Sequence, residues 1–338
     1  MITVFDDMQR AHDPQMFLSS GAPRPCPEKP ARIDALLSGV RSLGGPVVNA
    51  RDAGLDAIRA VHSERYLTFL QSIHHRWTRI EGASAEVIPN IHPANRTDGY
   101  PKSAVGQAGF HMTDTSCPIG PKTWTAAYAS AQSAIHATDL VLAGERAVYA
   151  LCRPPGHHCF SDLAGGFCYL SNSAIAAQRL VAAGRRVSVL DVDLHHGNGT
   201  QGVFYDRGDV LTVSIHAHPE RFYPFFWGYP DETGNGAGVG ANLNLCLERG
   251  TGDEGFMAAL ATACQAVVRH GTDTLVLALG LDAFHGDPFA GLSVTTPGFA
   301  RIGGMVASMG LPTVIVQEGG YLCPELGDNL AAVLSAWH

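Results

Sequence analysis

From about residue 124 onward the chain alternates short, nearly continuous apolar runs with longer alanine-rich stretches whose apolar positions follow helical spacing. The runs 147–152 (AVYALC), 187–192 (VSVLDV), 210–215 (VLTVSI), 274–280 (TLVLALG) and 312–317 (PTVIVQ) are short and rich in β-branched residues, so they predict strands. The stretches 124–143, 171–183, 253–270, 298–309 and 326–336 predict helices. A further strand, ITVF, opens the chain, and helical patterns follow near 29–42 and 64–76. Strands that are apolar on both faces and separated by helices imply an α/β fold: an open parallel sheet with helices on both sides. Three stretches break the pattern, 81–120, 159–170 and 217–242, all rich in Gly, Pro, Asn and aromatic residues. Loops of that length inside a compact domain are usually functional or interfacial. No repeat or linker divides residues 1–338, which predicts a single domain.

Composition narrows the class. Hydrophobic residues make up 46% and charged residues 16%, which fits a compact globular protein and excludes a disordered one. The formal charge of −8 argues against a nucleic-acid surface and favours cationic ligands. With no basic leader and no apolar run long enough to cross a bilayer, the sequence predicts a cytoplasmic protein without membrane attachment. Eight scattered cysteines without a CxxC pair predict reduced thiols rather than a disulfide framework.

The chemistry is concentrated in two histidine dyads. His157-His158 follow the 147–152 run across a Pro-Pro-Gly turn, and His195-His196 follow the 187–192 run in DVDLHHGNGT. The second segment adds Asp191 and Asp193. In extended chain, residues two apart share a side, so Asp193 and His195 can bind one ion while His196 faces elsewhere. Carboxylate oxygen with imidazole nitrogen suits Zn²⁺, and also Fe²⁺ or Co²⁺. Asp282 follows the 274–280 run and Tyr321 follows the 312–317 run across Gly319-Gly320. Ligands of open parallel sheets bind beyond the carboxyl ends of the strands, where all four groups fall. Taken alone, Asp282 is also the usual helix N-cap and Tyr321 a core tyrosine with its hydroxyl tied to backbone. Beside the DxDxHH loop, Asp282 reads as a third ligand. His62, His92, His216, His218 and His285 read as surface or loop residues.

RPPGHH, GGFCYLSN, DVDLHHGNGTQ, the Asp of LGLDAF and EGGY occur in that order, and together they resemble the zinc-dependent histone deacetylase family, whose fold is shared with arginase. The resemblance spans almost the whole chain. It is strongest toward bacterial acetylpolyamine amidohydrolases, through VGQAGF…GPKTW at the end of the 81–120 insertion and FFWGYPDETGNGAG at 225–238. Arginase itself is disfavoured, because its two-metal site needs extra aspartates in place of the second histidine, and here the loop reads Asp193-Leu194-His195-His196. The resemblance implies that Asp193, His195 and Asp282 hold Zn²⁺. It makes His158 the general base and acid, His157 its electrostatic support, and Asp191 and Asn198 the partners of His157 and His158 respectively. Tyr321 would donate to the oxyanion. Gly165, Gly166 and Phe167 would form one wall of a substrate tunnel, with Phe225 or Phe226 opposite. Asp191, Asp193 and His195, with Ser214 and Ile215, would hold a structural K⁺. The implied reaction is removal of acetyl groups from small acetylated amines, acetylpolyamines above all, by a homodimer whose 81–120 insertion narrows the active-site mouth. The alternative is an acetyl-lysine protein or peptide deacetylase. One departure bears on this choice: polyamine-cleaving relatives carry a Glu just before Gly-Gln-x-Gly, where this chain has Val105.

Overall fold

The computed structural model describes residues 1–96 and 99–338; Thr97 and Asp98, inside the 81–120 insertion, lie outside the described residues. The strands are β1 (Ile2–Phe5), β2 (Met16–Ser19), β3 (Ala22–Pro25), β4 (Val47–Asn49), β5 (Ala147–Ala150), β6 (Val187–Asp191), β7 (Val210–Ala217), β8 (Asn242–Leu247), β9 (Thr274–Leu279) and β10 (Thr313–Gln317). Eight of them form one sheet in the order β4-β1-β5-β10-β9-β6-β7-β8, with every neighbouring pair parallel. β2 and β3 make a separate antiparallel hairpin.

Alternation along each strand feeds two cores. Val148, Val189, Val276 and Val314 face helices Glu64–Trp77, Thr123–Leu142 and Asn172–Ala182. Their neighbours Tyr149, Leu190, Leu277 and Ile315 face helices Ala31–Ser42, Asp253–His270, Thr296–Ser308 and Leu326–Leu334. Successive side chains on a strand point to opposite faces, so a continuous apolar run fills both layers at once.

Three parts differ from the sequence expectation. β4 and β8 are edge strands that the apolar runs do not announce, and β8 alternates Asn242 and Asn244 with leucines because one of its faces meets a polar cluster. The 81–120 stretch contains helix Ala104–His111 and a bridge between Val87 and Ile119, and its Val87, Ala108, Met112 and Ile119 join the main core. His62 and His216 are buried rather than superficial. His62 donates from Nδ1 to Ser161 O at 3.2 Å and accepts from Ser171 N at 2.9 Å. His216 spans Ser214 Oγ and the carbonyl of Gly228. All eight cysteines are free. Among the described residues, no helix is long and apolar enough to cross a membrane.

Candidate active site

The four strands whose ends carry the chemical residues, β5, β10, β9 and β6, are contiguous in the centre of the sheet. Strand order reverses here, because β9 and β10 return between β5 and β6. That crevice is where open α/β sheets bind ligands.

Beyond β6, Asp193 accepts from His195 N through Oδ1 at 2.9 Å and from Gly319 N through Oδ2 at 2.7 Å. Asp282, beyond β9, accepts from Leu194 N at 3.0 Å. No helix follows it until Thr296, so it is not an N-cap. The remaining donors converge: His195 Nδ1 lies 3.3 Å from Asp193 Oδ1 and 3.1 Å from Asp282 Oδ2. One donor atom from each of the three residues fits within 4.8 Å of the others, and all three side chains are buried. A Cβ at Gly280 would strike Asp193, and one at Gly319 would strike both carboxylates, so bare backbone preserves the space. Two buried carboxylates facing one imidazole, with no Lys or Arg side chain bonded to either among the described residues, form a donor set suited to a divalent cation.

Beyond β5, the histidine dyad lies beside this cluster. His157 Nδ1 donates to Asp191 Oδ2 at 2.8 Å, and His158 Nδ1 donates to Asn198 Oδ1 at 2.7 Å. The different partners separate the two rings. Burial opposes charge on His157, but Asp193 and Asp191 outweigh it and push its pKa up to about 10. Burial, with His157 and His195 nearby, holds His158 well below the ordinary imidazole range. His158 Nε2 has no protein partner among the described residues, and the ring borders the cavity.

Beyond β10, Gly319 and Gly320 carry the chain to Tyr321, whose amide donates to Asp287 Oδ2 at 2.8 Å. Arg32 Nε donates to Gly320 O at 2.6 Å, and its guanidinium lies 4.9 Å from the Tyr321 ring centre. The Tyr321 hydroxyl has no protein partner among the described residues. Burial raises its pKa well above the usual value, so the phenol keeps a proton to donate.

His158, His195 and Tyr321 border a cavity of about 420 Å³. Gly166, Phe167 and Phe225 line it, with Tyr223, Phe289 and Phe17 of the β2–β3 hairpin. Phe226 does not: it is 85% exposed, because Phe225 takes φ +62° and the chain turns its successor outward. Gly165 stands behind the wall, where a Cβ would strike Thr113. Phe17, Tyr223, Asp287 and Asp114, which accepts from Tyr223 Oη at 2.6 Å, are not singled out by the sequence. Only the aromatic density around Tyr223 hints at them.

Asp191 and Ser214 are register partners on adjacent strands. The buried carbonyl oxygens of Asp193 and His195 accept no hydrogen bond among the described residues, which leaves acceptors suited to a monovalent cation.

Residues 26–337 match the histone deacetylase domain family. The acetylpolyamine amidohydrolase of Burkholderia pseudomallei is 45% identical over 330 residues, covering 97% of this chain and 96% of that protein. Acetylpolyamine amidohydrolase 1 of Pseudomonas aeruginosa is 42% identical over 342 residues, covering 100% and 99%. The crystal structure of acetylpolyamine aminohydrolase from B. pseudomallei superposes with a TM-score of 0.96 at 44% identity, covering 100% of this chain and 98% of that one. The HD domain of HDA15 has the same fold, with a TM-score of 0.81 at 26% identity. By its sequence and its fold, this chain is a deacetylase of the histone deacetylase family.

Proposed function

We propose that the protein is a zinc-dependent amidohydrolase that removes acetyl groups from small acetylated amines, acetylpolyamines first among them, and releases acetate. The observation that carries this reading is that one aromatic-walled cavity is bordered by His195 of the Asp193–His195–Asp282 cluster, by His158, which is bonded to Asn198, and by Tyr321. The similarity to acetylpolyamine amidohydrolases over nearly full length supports the choice of amine.

Asp193, His195 and Asp282 would hold the ion. Zn²⁺ suits the set best, and Fe²⁺ or Co²⁺ is compatible with it. A divalent ion held there would supply Lewis acidity toward the substrate carbonyl and would lower the pKa of a water molecule toward neutrality. His158, neutral and held at Nδ1 by Asn198, takes a proton from that water on Nε2 as the water oxygen adds to the acetamide carbon. Tyr321 donates its hydroxyl hydrogen bond to the oxyanion. When the C–N bond breaks, His158 returns the proton to the leaving amine. His157, charged through Asp191, contributes a fixed positive field. Phe167 and Phe225 flank an unbranched aliphatic chain. Asp191, Asp193 and His195 through their backbone carbonyls, with Ser214 and Ile215, would hold a K⁺ that braces the β6–β7 ends. We also propose a homodimer in which the 81–120 insertion narrows the mouth.

Comparing kcat/KM for acetylputrescine, acetylspermidine, acetylcadaverine and acetyl-lysine peptides, with and without a chelator, tests the reading. The small amines should lead, and the chelator should abolish all turnover. The second reading, acetyl-lysine peptides, draws on Val105, a half-buried aliphatic residue packed against the core at the position that precedes Gly106-Gln107. Dominant turnover of peptides, or a monomer in sedimentation, would favour it.

A further inference from the structure

His157, Cys168 and Glu318 bring a nitrogen, a sulfur and a carboxylate oxygen within 4.8 Å of one another outside the Asp193 cluster. Their existing bonds leave no metal site there. His157 Nδ1 is committed to Asp191, and the Cys168 thiol lies against Gly166 O. Both oxygens of Glu318 are occupied: Oε2 accepts from Gly156 N at 2.6 Å and from His157 N at 3.0 Å, and Oε1 accepts from Ser173 Oγ at 2.6 Å. Burying a carboxylate is costly unless its lone pairs are filled, and here three donors fill them.

Two of those donors are consecutive backbone amides of the turn that delivers the histidine dyad. A turn leaving a strand has lost its ladder partners, and buried amides must find acceptors elsewhere. Gly156 is also wedged in place, since a Cβ there would meet Asn172 N and Leu170 O. Glu318 is itself fixed through its own backbone. Glu318 N donates to Leu279 O at 2.8 Å, Glu318 O accepts from Arg32 Nη2 at 2.8 Å, and the next residue, Gly319, donates to Asp193. Glu318 therefore joins the turn of β5 to the end of β10, which leads to Tyr321.

We propose that Glu318 is a positioning residue that sets the distance between the His157–His158 base and the Asp193 centre by clamping the Gly156 and His157 amides. Its contribution is an acceptor at a fixed place rather than a charge. The kinetic part rests on the deacetylase reading; the clamp itself does not.

Three variants separate the possibilities. Glu318→Gln presents the same acceptor oxygen to both amides and an N–H to Ser173, so kcat should stay within about threefold of wild type. Glu318→Ala removes the acceptor; displacing a catalytic group by about 1 Å costs on the order of 10²-fold, so kcat should fall by roughly 10–10² with KM little changed. Glu318→Asp keeps the charge but withdraws the oxygens by one methylene, and should behave like Glu318→Ala. Amide hydrogen exchange at Gly156 and His157 of the full-length protein reads the clamp without activity: protection should persist in Glu318→Gln and fall in the other two. Unchanged exchange and kcat in Glu318→Ala, or a Glu318→Asp enzyme better than Glu318→Gln, would overturn the proposal. Should the wild-type enzyme hydrolyse no acetylated amine while the exchange pattern holds, the functional reading fails and the clamp stands.

Discussion

His158 donates from Nδ1 to the side-chain oxygen of Asn198 at 2.7 Å, a neutral acceptor where the adjacent ring has a carboxylate. That single difference sets which histidine is free to take a proton. Asn198→Asp should hold the proton on His158, so the acid limb of the kcat/KM profile should move to higher pH. Activity at neutral pH should drop by at least roughly 10-fold and recover partly in alkali. A profile superimposable on wild type would show that another group is the base.

Tyr321 supplies a hydroxyl and, through Arg32 and Asp287, a defended position for it. Tyr321→Phe keeps the ring packing against Phe167 and Phe289. Metal content and thermal stability should be unchanged while kcat falls by roughly 10²–10³-fold. An effect confined to KM would mean that the hydroxyl binds substrate and does not stabilise the oxyanion.

Asp193→Ala, His195→Ala and Asp282→Ala should each lower bound zinc and abolish turnover, because each removes one of three donors. Hydroxamates, which chelate zinc, should inhibit the wild-type enzyme. Metal analysis decides it: a full equivalent of zinc retained by two of the three variants would rule out the ligand set.

Much of this site is legible in the sequence because it sits on strands whose composition is extreme. β5, β6, β9 and β10 are buried on both faces, so their apolar runs are continuous, and the site residues follow each of them within a few positions: Asp193 and Asp282 directly, His157-His158 and Tyr321 across glycine-containing turns. The edges are harder to read. β4 has three residues, and β8 alternates because Asn242 and Asn244 bond Gln201. The hairpin that brings Phe17 to the cavity carries prolines at 23 and 25, which removes the strand signal. Glu318 is invisible for another reason: a buried acid after a strand gains meaning only when its oxygens meet amides 162 and 161 residues away.

His62 staples the tunnel-wall loop at both ends, donating to Ser161 O and accepting from Ser171 N, and this requires the neutral ring. Burial lowers its pKa from 6.5 to about 4. Between those values the unfolded chain holds a proton that the folded one lacks. Its contribution is therefore complete above pH 6.5 and is lost as pH falls toward 4, the loss amounting to roughly 2 kcal/mol by pH 5. Denaturant unfolding at pH 7 and pH 5 should show a smaller difference for His62→Gln than for wild type. An equal difference would place the acid sensitivity in other groups.

Phe225 and Phe226 are consecutive, yet one borders the cavity and the other is 85% exposed. The divergence comes from the backbone of Phe225, whose φ of +62° is unusual for an aromatic residue and costs on the order of 1–3 kcal/mol. The Phe225 amide donates to Phe222 O at 3.0 Å, and its carbonyl accepts from Tyr229 Oη at 2.9 Å, so the turn is held from both sides. Such strain suits a wall that must face inward. Phe225→Ala should lower kcat/KM for a small acetylated amine by roughly 10-fold, because the aliphatic chain of the substrate would no longer be shielded from water on that side. Phe226→Ala should leave it within about twofold, since an exposed side chain has little to lose. Phe225→Gly separates the wall from the strain: it should lose as much kcat/KM as Phe225→Ala while unfolding at a higher temperature than Phe225→Ala, because glycine adopts positive φ freely. Equal damage from Phe226→Ala would reverse the wall assignment, and a Phe225→Gly enzyme less stable than Phe225→Ala would remove strain as its cause.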